Sequence, residues 1–257
     1  MSATLNDPSL ASPPALSSPP QLDHSEKRAV FLDFDGTLVE IAPRPDAVEV
    51  ARGLPELLYK LARLLEGRLA IVSGRSLADL DRHLGPLPVA MAGSHGGEMR
   101  DAGRAAVQSL AAPLPLPVAE AVRAVAADHG GLLVEAKPSS IAIHYRDRPR
   151  AEADVQARTG AIAATHGLAT KHGKMVSELV MPGADKGSAI NRFMMLAPFS
   201  GTRPIFVGDD VTDEDAFRAV LQYDGGGILV GPERETAALW RIGSVAHVHA
   251  WLRAAFG

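Results

Sequence analysis

The chain has 257 residues, 46% of them apolar, a formal net charge of −4 and a pI near 6.1. This balance allows a sizeable core and implies no broad basic surface, so nucleic acid is not an expected partner. The absence of cysteine excludes a disulfide framework and a thiolate metal site, and no apolar run is long enough to span a bilayer.

Residues 1–25 are rich in Ser, Pro, Ala and Leu, and Ser12-Pro13-Pro14 and Ser18-Pro19-Pro20 repeat a local pattern. They lack the basic start and continuous apolar centre of a secretory signal. A disordered or loosely packed tail is expected here, and a cytoplasmic location for the chain. Val30, Phe31 and Leu32 then read as a strand buried on both faces. It ends in Asp33 and Asp35, with Gly36 breaking the strand. Leu54, Leu57, Leu58, Leu61 and Leu65 mark one face of a helix. Leu69 to Val72 is a second strand, ending in Ser73-Gly74-Arg75. A short helix follows from Ser76, its N-cap, to Leu84. Pro88 to Ala92 is a third strand, leading into Gly93-Ser94-His95-Gly96-Gly97-Glu98.

Pro113, Pro115 and Pro117 interrupt this alternation and read as a linker. Beyond it the spacing predicts a helix over 118–129 and a hairpin of 132–137 with 141–146, turning at Pro138-Ser139-Ser140. A helix over 151–166 and extended segments between Leu168 and Met181 follow. Pro182-Gly183 returns the chain to the first pattern. A helix over 186–196, a strand Ile205–Gly208, a further helix and a strand Ile228–Gly231 complete it. Two terminal helical patterns carry Trp240 and Trp251, expected to pack on the sheet. The fold class is α/β. A doubly wound, Rossmann-like parallel-sheet core (26–112 and 183–257) carries an inserted α+β cap (113–182).

Two carboxylates closing a buried strand are costly unless neutralised. A hard divalent cation is the usual remedy, and Mg²⁺ suits a site of few carboxylates, waters and a substrate phosphate. The same argument applies to Asp209, Asp210, Asp213 and Glu214, which crowd the end of Ile205–Gly208. Ligands bind outside the carboxyl ends of such strands, where Asp33, Ser73 and His95 all fall.

The string Asp33-Phe34-Asp35-Gly36-Thr37-Leu38 resembles the first motif of the haloacid dehalogenase superfamily of phosphatases. Ser73, Lys186 in Asp185-Lys186-Gly187, and Gly208-Asp209-Asp210 with Asp213 match the remaining motifs in order. The resemblance implies that Asp33 is a nucleophile forming an aspartyl-phosphate and Asp35 a general acid/base. It implies that Thr37 and Ser73 hold the phosphoryl group and that Lys186 balances the charge of nucleophile and phosphate. Asp33, Asp35 and Asp209 would be the Mg²⁺ site, with Asp210 and Asp213 acting from behind it.

The stretches Gly208 to Phe217, Gly93 to Glu98, Glu135 to Lys137, His144 to Arg146, and Glu178 together resemble the trehalose-6-phosphate phosphatase family. The substrate implied is a sugar phosphate, and a trehalose-phosphate synthase is a further partner to expect. The resemblance places Gly36, Gly74, Arg75, His95, Gly96, Glu98, Glu135, Lys137, His144, Arg146 and Glu178 around the substrate. Residue chemistry agrees in part. Glu135 and Lys137 share one strand face. Lys is scarce, found only at 27, 60, 137, 171, 174 and 186. Paired Glu and Lys suit a polyhydroxylated ligand. A salt bridge on a wet sheet face is the other reading of this pair, and a plain polar face is the other reading of His144 and Arg146. The rival functions are a capped phosphatase for sucrose phosphate or mannosylphosphoglycerate, a phosphosugar mutase, and a catalytically silent regulatory domain. The last usually requires damaged metal acids, and here Asp33, Asp35 and Asp209 are intact.

Overall fold

The computed structural model describes residues 16–22, 26–103, 106–137, 139–173, 175–183 and 185–256. The first part of the chain forms β1 (Arg28–Leu32), α1 (Leu54–Leu64), β2 (Leu69–Val72), α2 (Leu77–Leu84), β3 (Ala90–Gly93), β4 (Glu98–Arg100) and β5 (Gln108–Ser109). The middle forms α3 (Leu116–Asp128), β6 (Leu133–Ala136), β7 (Ser140–His144), α4 (Glu152–His166), β8 (Ala169–Gly173) and β9 (Val176–Val180). The last part forms α5 (Lys186–Met194), β10 (Arg203–Gly208), α6 (Glu214–Leu221), β11 (Gly226–Val230), β12 (Trp240–Ile242) and α7 (Val245–Arg253).

One sheet has eight strands in the order β12-β11-β10-β1-β2-β3-β4-β5. From β12 to β3 all pairings are parallel, and β1 lies between β10 and β2. Alternation along β1 divides the core. Val30 and Leu32 join the leucines of α1 and α2 on one face, with Val248 and Leu252 of α7. Ala29 and Phe31 join Ile190 and Phe193 of α5 and Phe217 of α6 on the other. Burial on both faces explains the continuous apolar run of this strand. The α1 sequence fits its dipole, with Glu56 in the first turn and Arg63 in the last.

The second sheet is antiparallel, in the order β6-β7-β9-β8. α3 and α4 cover one face, packing Val118, Val122 and Val155 on Ile141, Ile143 and Leu179. The opposite parity, with Glu135, His144, Lys171 and Glu178, faces the ends of the parallel strands. The second sheet thus forms a roof over the site end of the first.

Three details differ from the sequence reading. β4 and β5 extend the sheet antiparallel to β3 and to each other. The chain reverses straight after β3 because Ser94, His95 and Gly96 all have positive φ. The first of the two terminal helical patterns is absent. Trp240 instead lies in the short edge strand β12, paired parallel to β11. Finally, residues 16–22 of the expected loose tail lie against the core. Leu22 is buried there, Ser17 bridges to Trp240, and the Trp251 indole N–H donates to the Pro20 carbonyl at 2.9 Å. Residues 1–15 and 23–25 of that tail, and the expected turn residue Pro138, lie outside the described residues. Among the described residues, no helix is long and apolar enough to cross a membrane.

Candidate active site

β1 ends in Asp33, whose carboxylate is almost fully buried. Gly36 turns the chain behind it with φ +74°, a region that favours glycine. A Cβ there would lie 2.3 Å from the Asp209 carboxylate, so only glycine lets the loops after β1 and β10 approach each other. Asp185 caps α5 by accepting the Ser188 N–H, and Lys186 follows inside the first turn. The Lys186 ammonium reaches Asp33 at 2.8 Å and Asp213 at 2.6 Å. Burial alone would lower its pKa, but Asp213 and Asp33 beside it hold it above that of an ordinary lysine. Burial pushes the Asp33 carboxyl well up, and Asp213 and Asp209 add to this while Lys186 opposes it.

Carboxylate oxygens of Asp33, Asp209 and Asp213 lie within 4.8 Å of one another. This oxygen-only set fits Mg²⁺. Asp213 uses one oxygen on Lys186 and the other on the Asp210 backbone N–H, which suits a bracing role. Asp35, expected among the metal acids, is not in this group. Its two oxygens accept from the Arg75 Nε at 2.6 Å and Nη2 at 2.8 Å. Arg75, expected on the substrate, is thereby committed to Asp35, although it still lines the cleft. The Thr37 hydroxyl is buried with no hydrogen-bond partner, an orphan that an incoming phosphoryl oxygen would satisfy. Ser73 is buried at the end of β2, where its hydroxyl accepts the Arg75 backbone N–H.

The cleft between the sheets has a volume of about 260 Å³ and includes Asp33, Asp35, Lys186, Asp209 and Asp210 on one wall. Glu135, Lys137, His144, Arg146 and Glu178 line the other. These side chains form a connected set. Glu178 accepts from Ser140 Oγ at 2.7 Å and lies 3.5 Å from Lys137 Nζ. Glu135 lies 3.5 Å from Lys137 and 3.2 Å from His144. Burial would lower the Lys137 pKa, but Glu178 and Glu135 raise it. Burial would raise the Glu178 pKa, but Lys137 and His95 bring it well below the usual range.

Core and roof also touch directly. Lys137 Nζ donates to the Gly74 carbonyl at 2.8 Å, and His95 Nε2 meets Glu178 at 2.7 Å. Arg146 donates to the carbonyls of Ala42 and Pro43. Gly74 admits the His95 ring, since a Cβ at that position would lie 2.6 Å from it. Burial drives the His95 pKa down, favouring the neutral ring. Its Nδ1 is buried without a partner.

Several expected residues do not line the cleft. Glu98 accepts from Ser94 Oγ at 2.6 Å and braces the turn that carries His95. Gly96 packs against the Asp185 carbonyl, so it fixes α5 rather than a ligand. Gly36 lies behind Asp209. Conversely, Lys171 and the stretch Ile41 to Arg44 line the cleft and were not assigned to it from sequence. The Lys171 ammonium is buried, has no hydrogen-bond partner and lies 3.9 Å from Asp215. Burial lowers its pKa. Its alternation with Gly173 and the scarcity of Lys were signals that could have found it.

The parallel sheet with buried acids and a lysine at its strand ends, roofed by an inserted α+β sheet, is a fold shared with a haloacid dehalogenase-like hydrolase from Bacteroides thetaiotaomicron, which superposes with a TM-score of 0.66 at 16% identity, covering 88% of this chain and 98% of that one. Residues 31–240 match the family model described as trehalose-phosphatase. Trehalose-6-phosphate phosphatase of Escherichia coli is 38% identical over 230 residues, covering 89% of this chain and 86% of its own length. A probable trehalose-phosphate phosphatase of Sinorhizobium fredii is 41% identical over 207 residues, covering 79% and 78%. The C-terminal domain of C. albicans trehalose-6-phosphate phosphatase superposes with a TM-score of 0.81 at 22% identity, covering 94% of this chain and 99% of that one, which shows the shared fold. The chain belongs to the trehalose-phosphatase family of phosphoric monoester hydrolases.

Proposed function

We propose that the chain hydrolyses trehalose 6-phosphate to trehalose and phosphate, with the phosphoryl group carried in turn by Asp33. The observation that carries this reading is the facing of two sets of groups across one cleft. Asp33 and Lys186 lie on one wall, and Glu135, Lys137 and Glu178 on the other.

The Asp33 carboxylate attacks phosphorus as the bond to the sugar oxygen breaks. Asp35 gives that oxygen a proton, so neutral trehalose leaves. Asp35 then takes a proton from water as the water oxygen attacks phosphorus. The bond to Asp33 breaks and phosphate departs. Lys186 balances negative charge beside Asp33 throughout. Ser73, which lines the cleft, and Thr37, whose buried hydroxyl has no hydrogen-bond partner, would donate to phosphoryl oxygens. Asp33 and Asp209 would hold Mg²⁺, braced by Asp213, and the bound ion would reduce the repulsion between carboxylate and phosphate. The roof groups would bind sugar hydroxyls, where a poor match leaves buried polar groups unpaired.

The test is phosphate release from trehalose 6-phosphate, sucrose phosphate, mannosylphosphoglycerate and glucose 6-phosphate, with Mg²⁺ and with a chelator. Trehalose 6-phosphate should lead in kcat/KM, and the chelator should abolish release. A better rate on another sugar phosphate overturns the substrate. Full activity after exhaustive chelation overturns the metal.

A further inference from the structure

Arg75 is buried and held from several sides. Its Nη1 donates to Asp79 at 2.5 Å and lies 3.2 Å from His83 Nε2. Asp79 and His83 both belong to α2. The Phe34 ring lies 5.5 Å below the guanidinium. The opposite edge of the guanidinium forks the two oxygens of Asp35. Such a bidentate pair fixes the plane of a carboxylate as well as its place. Asp35 is about one-third exposed and borders the cleft, so without the fork its side chain would be free to turn into solvent.

We propose that Arg75 is a positioning residue for Asp35, with Asp79 and His83 as its anchor on α2. The inference rests on the reading that Asp33 carries the phosphoryl group. In the first step phosphorus gains a bond to Asp33 and loses its bond to the leaving oxygen. The proton on that oxygen comes from Asp35. A misplaced Asp35 therefore penalises a leaving group that needs a proton. It spares one that departs as a stable anion. Lysine cannot replace the fork, because it offers a point charge in place of two parallel donors.

The test is rapid-quench single turnover of the full chain with Mg²⁺, measuring phosphoenzyme formation. Phenyl phosphate is the substrate that needs the proton, and p-nitrophenyl phosphate the one that does not. Arg75→Ala should slow the first by about 10²-fold and the second by less than about fivefold, the scale of lost general-acid catalysis. Millimolar guanidinium should restore part of the phenyl phosphate rate. Arg75→Lys, which keeps the buried charge, should show the same selective loss if the alanine variant does not fold. Equal slowing on both substrates without rescue, or no slowing, overturns the inference while wild-type phosphoenzyme still forms. Absence of phosphoenzyme in the wild type overturns the covalent reading, and this inference with it.

Discussion

His95 of the core and Glu178 of the roof meet at 2.7 Å, Nε2 to Oε2. His95 belongs to the turn after β3, held in positive φ with Ser94 before it. Glu178 belongs to β9 and is also held by Ser140 and Lys137. Lys137 in turn donates to the Gly74 carbonyl, next to Ser73. The groups proposed to read the sugar are therefore the groups that join the roof to the core. On that proposal the side chains that join roof to core also recognise the sugar, which would couple sugar binding to cleft assembly.

This coupling predicts the behaviour of the roof variants. Glu178→Ala and Lys137→Ala should each lower kcat/KM for trehalose 6-phosphate by about 10²-fold or more, because a misplaced substrate loses its near-attack geometry. Turnover of p-nitrophenyl phosphate, which barely uses the roof, should stay within about threefold. Steady-state kinetics on both substrates decides it. Equal losses on the two would make these residues supports of the fold.

The parallel sheet was legible because β1, β2, β10 and β11 are apolar on both faces and end in Asp, Ser or Gly. The acids at those ends were legible for the same reason, since a buried strand ending in charge needs a partner. β4, β5 and β12 were not, being too short for their alternation to be seen. Glu98 illustrates a different limit. Its motif was visible, but only the geometry shows that it holds Ser94 instead of facing the cleft. The pairing of Asp35 with Arg75 joins residues 40 apart in sequence, and no local pattern reports such a contact. Residues 16–22 read as tail by composition, yet Leu22 finds a place in the core.

Asp33→Asn should remove turnover and leave the fold intact. The amide is nearly isosteric but is not an anionic nucleophile. Burial disfavours charge on Asp33, the Lys186 ammonium favours it, and Asp213 and Asp209 disfavour it; the balance holds its pKa well up, so the neutral side chain relieves the metal-free protein. Its Tm without Mg²⁺ should be no lower than that of the wild type. Thermal unfolding beside a phosphate-release assay checks both halves. Substantial turnover by the folded variant, free of deamidation, would falsify the covalent route.

The roof network also sets a pH dependence. Burial opposes ionisation of Glu135, but His144 and Lys137 bring its pKa down to about 2. Glu178 is likewise held well below its ordinary value of 4.5. Both folded values lie below the unfolded ones. Their stabilisation is therefore fully present above about pH 4.5 and is lost as pH falls towards 2. The double variant Glu135→Gln, Glu178→Gln should have a lower Tm at neutral pH. Its Tm should fall less steeply over the acid range than that of the wild type. Parallel Tm curves for the two proteins would remove these carboxylates from the acid response.

Residues 16–22 give the last prediction. Leu22 is buried among Leu and Val of the core. The Arg241 N–H donates to the Ser17 carbonyl at 3.0 Å, so this segment pairs with the outer side of β12. Trp251 holds the Pro20 carbonyl from α7. Losing one buried leucine costs about 1.5–3 kcal/mol, and each hydrogen bond adds about 0.5–1.5 kcal/mol. Freeing the segment's backbone returns part of this as conformational entropy. A net loss of about 2 kcal/mol corresponds to a fall in Tm of roughly 4–8 °C for a chain of this size. Deletion of residues 1–22 should therefore lower Tm by about that amount. Phosphate release at 25 °C should be unchanged, because none of the described residues 16–22 borders the cleft. Deletion also uncovers the edge of β12, where an exposed strand invites pairing with a second copy. Light scattering against concentration should then show more association of the truncated chain than of the full chain. A Tm within about 1 °C of the full chain would mean that the segment contributes no net stability, its contacts being cancelled by the entropy of ordering it.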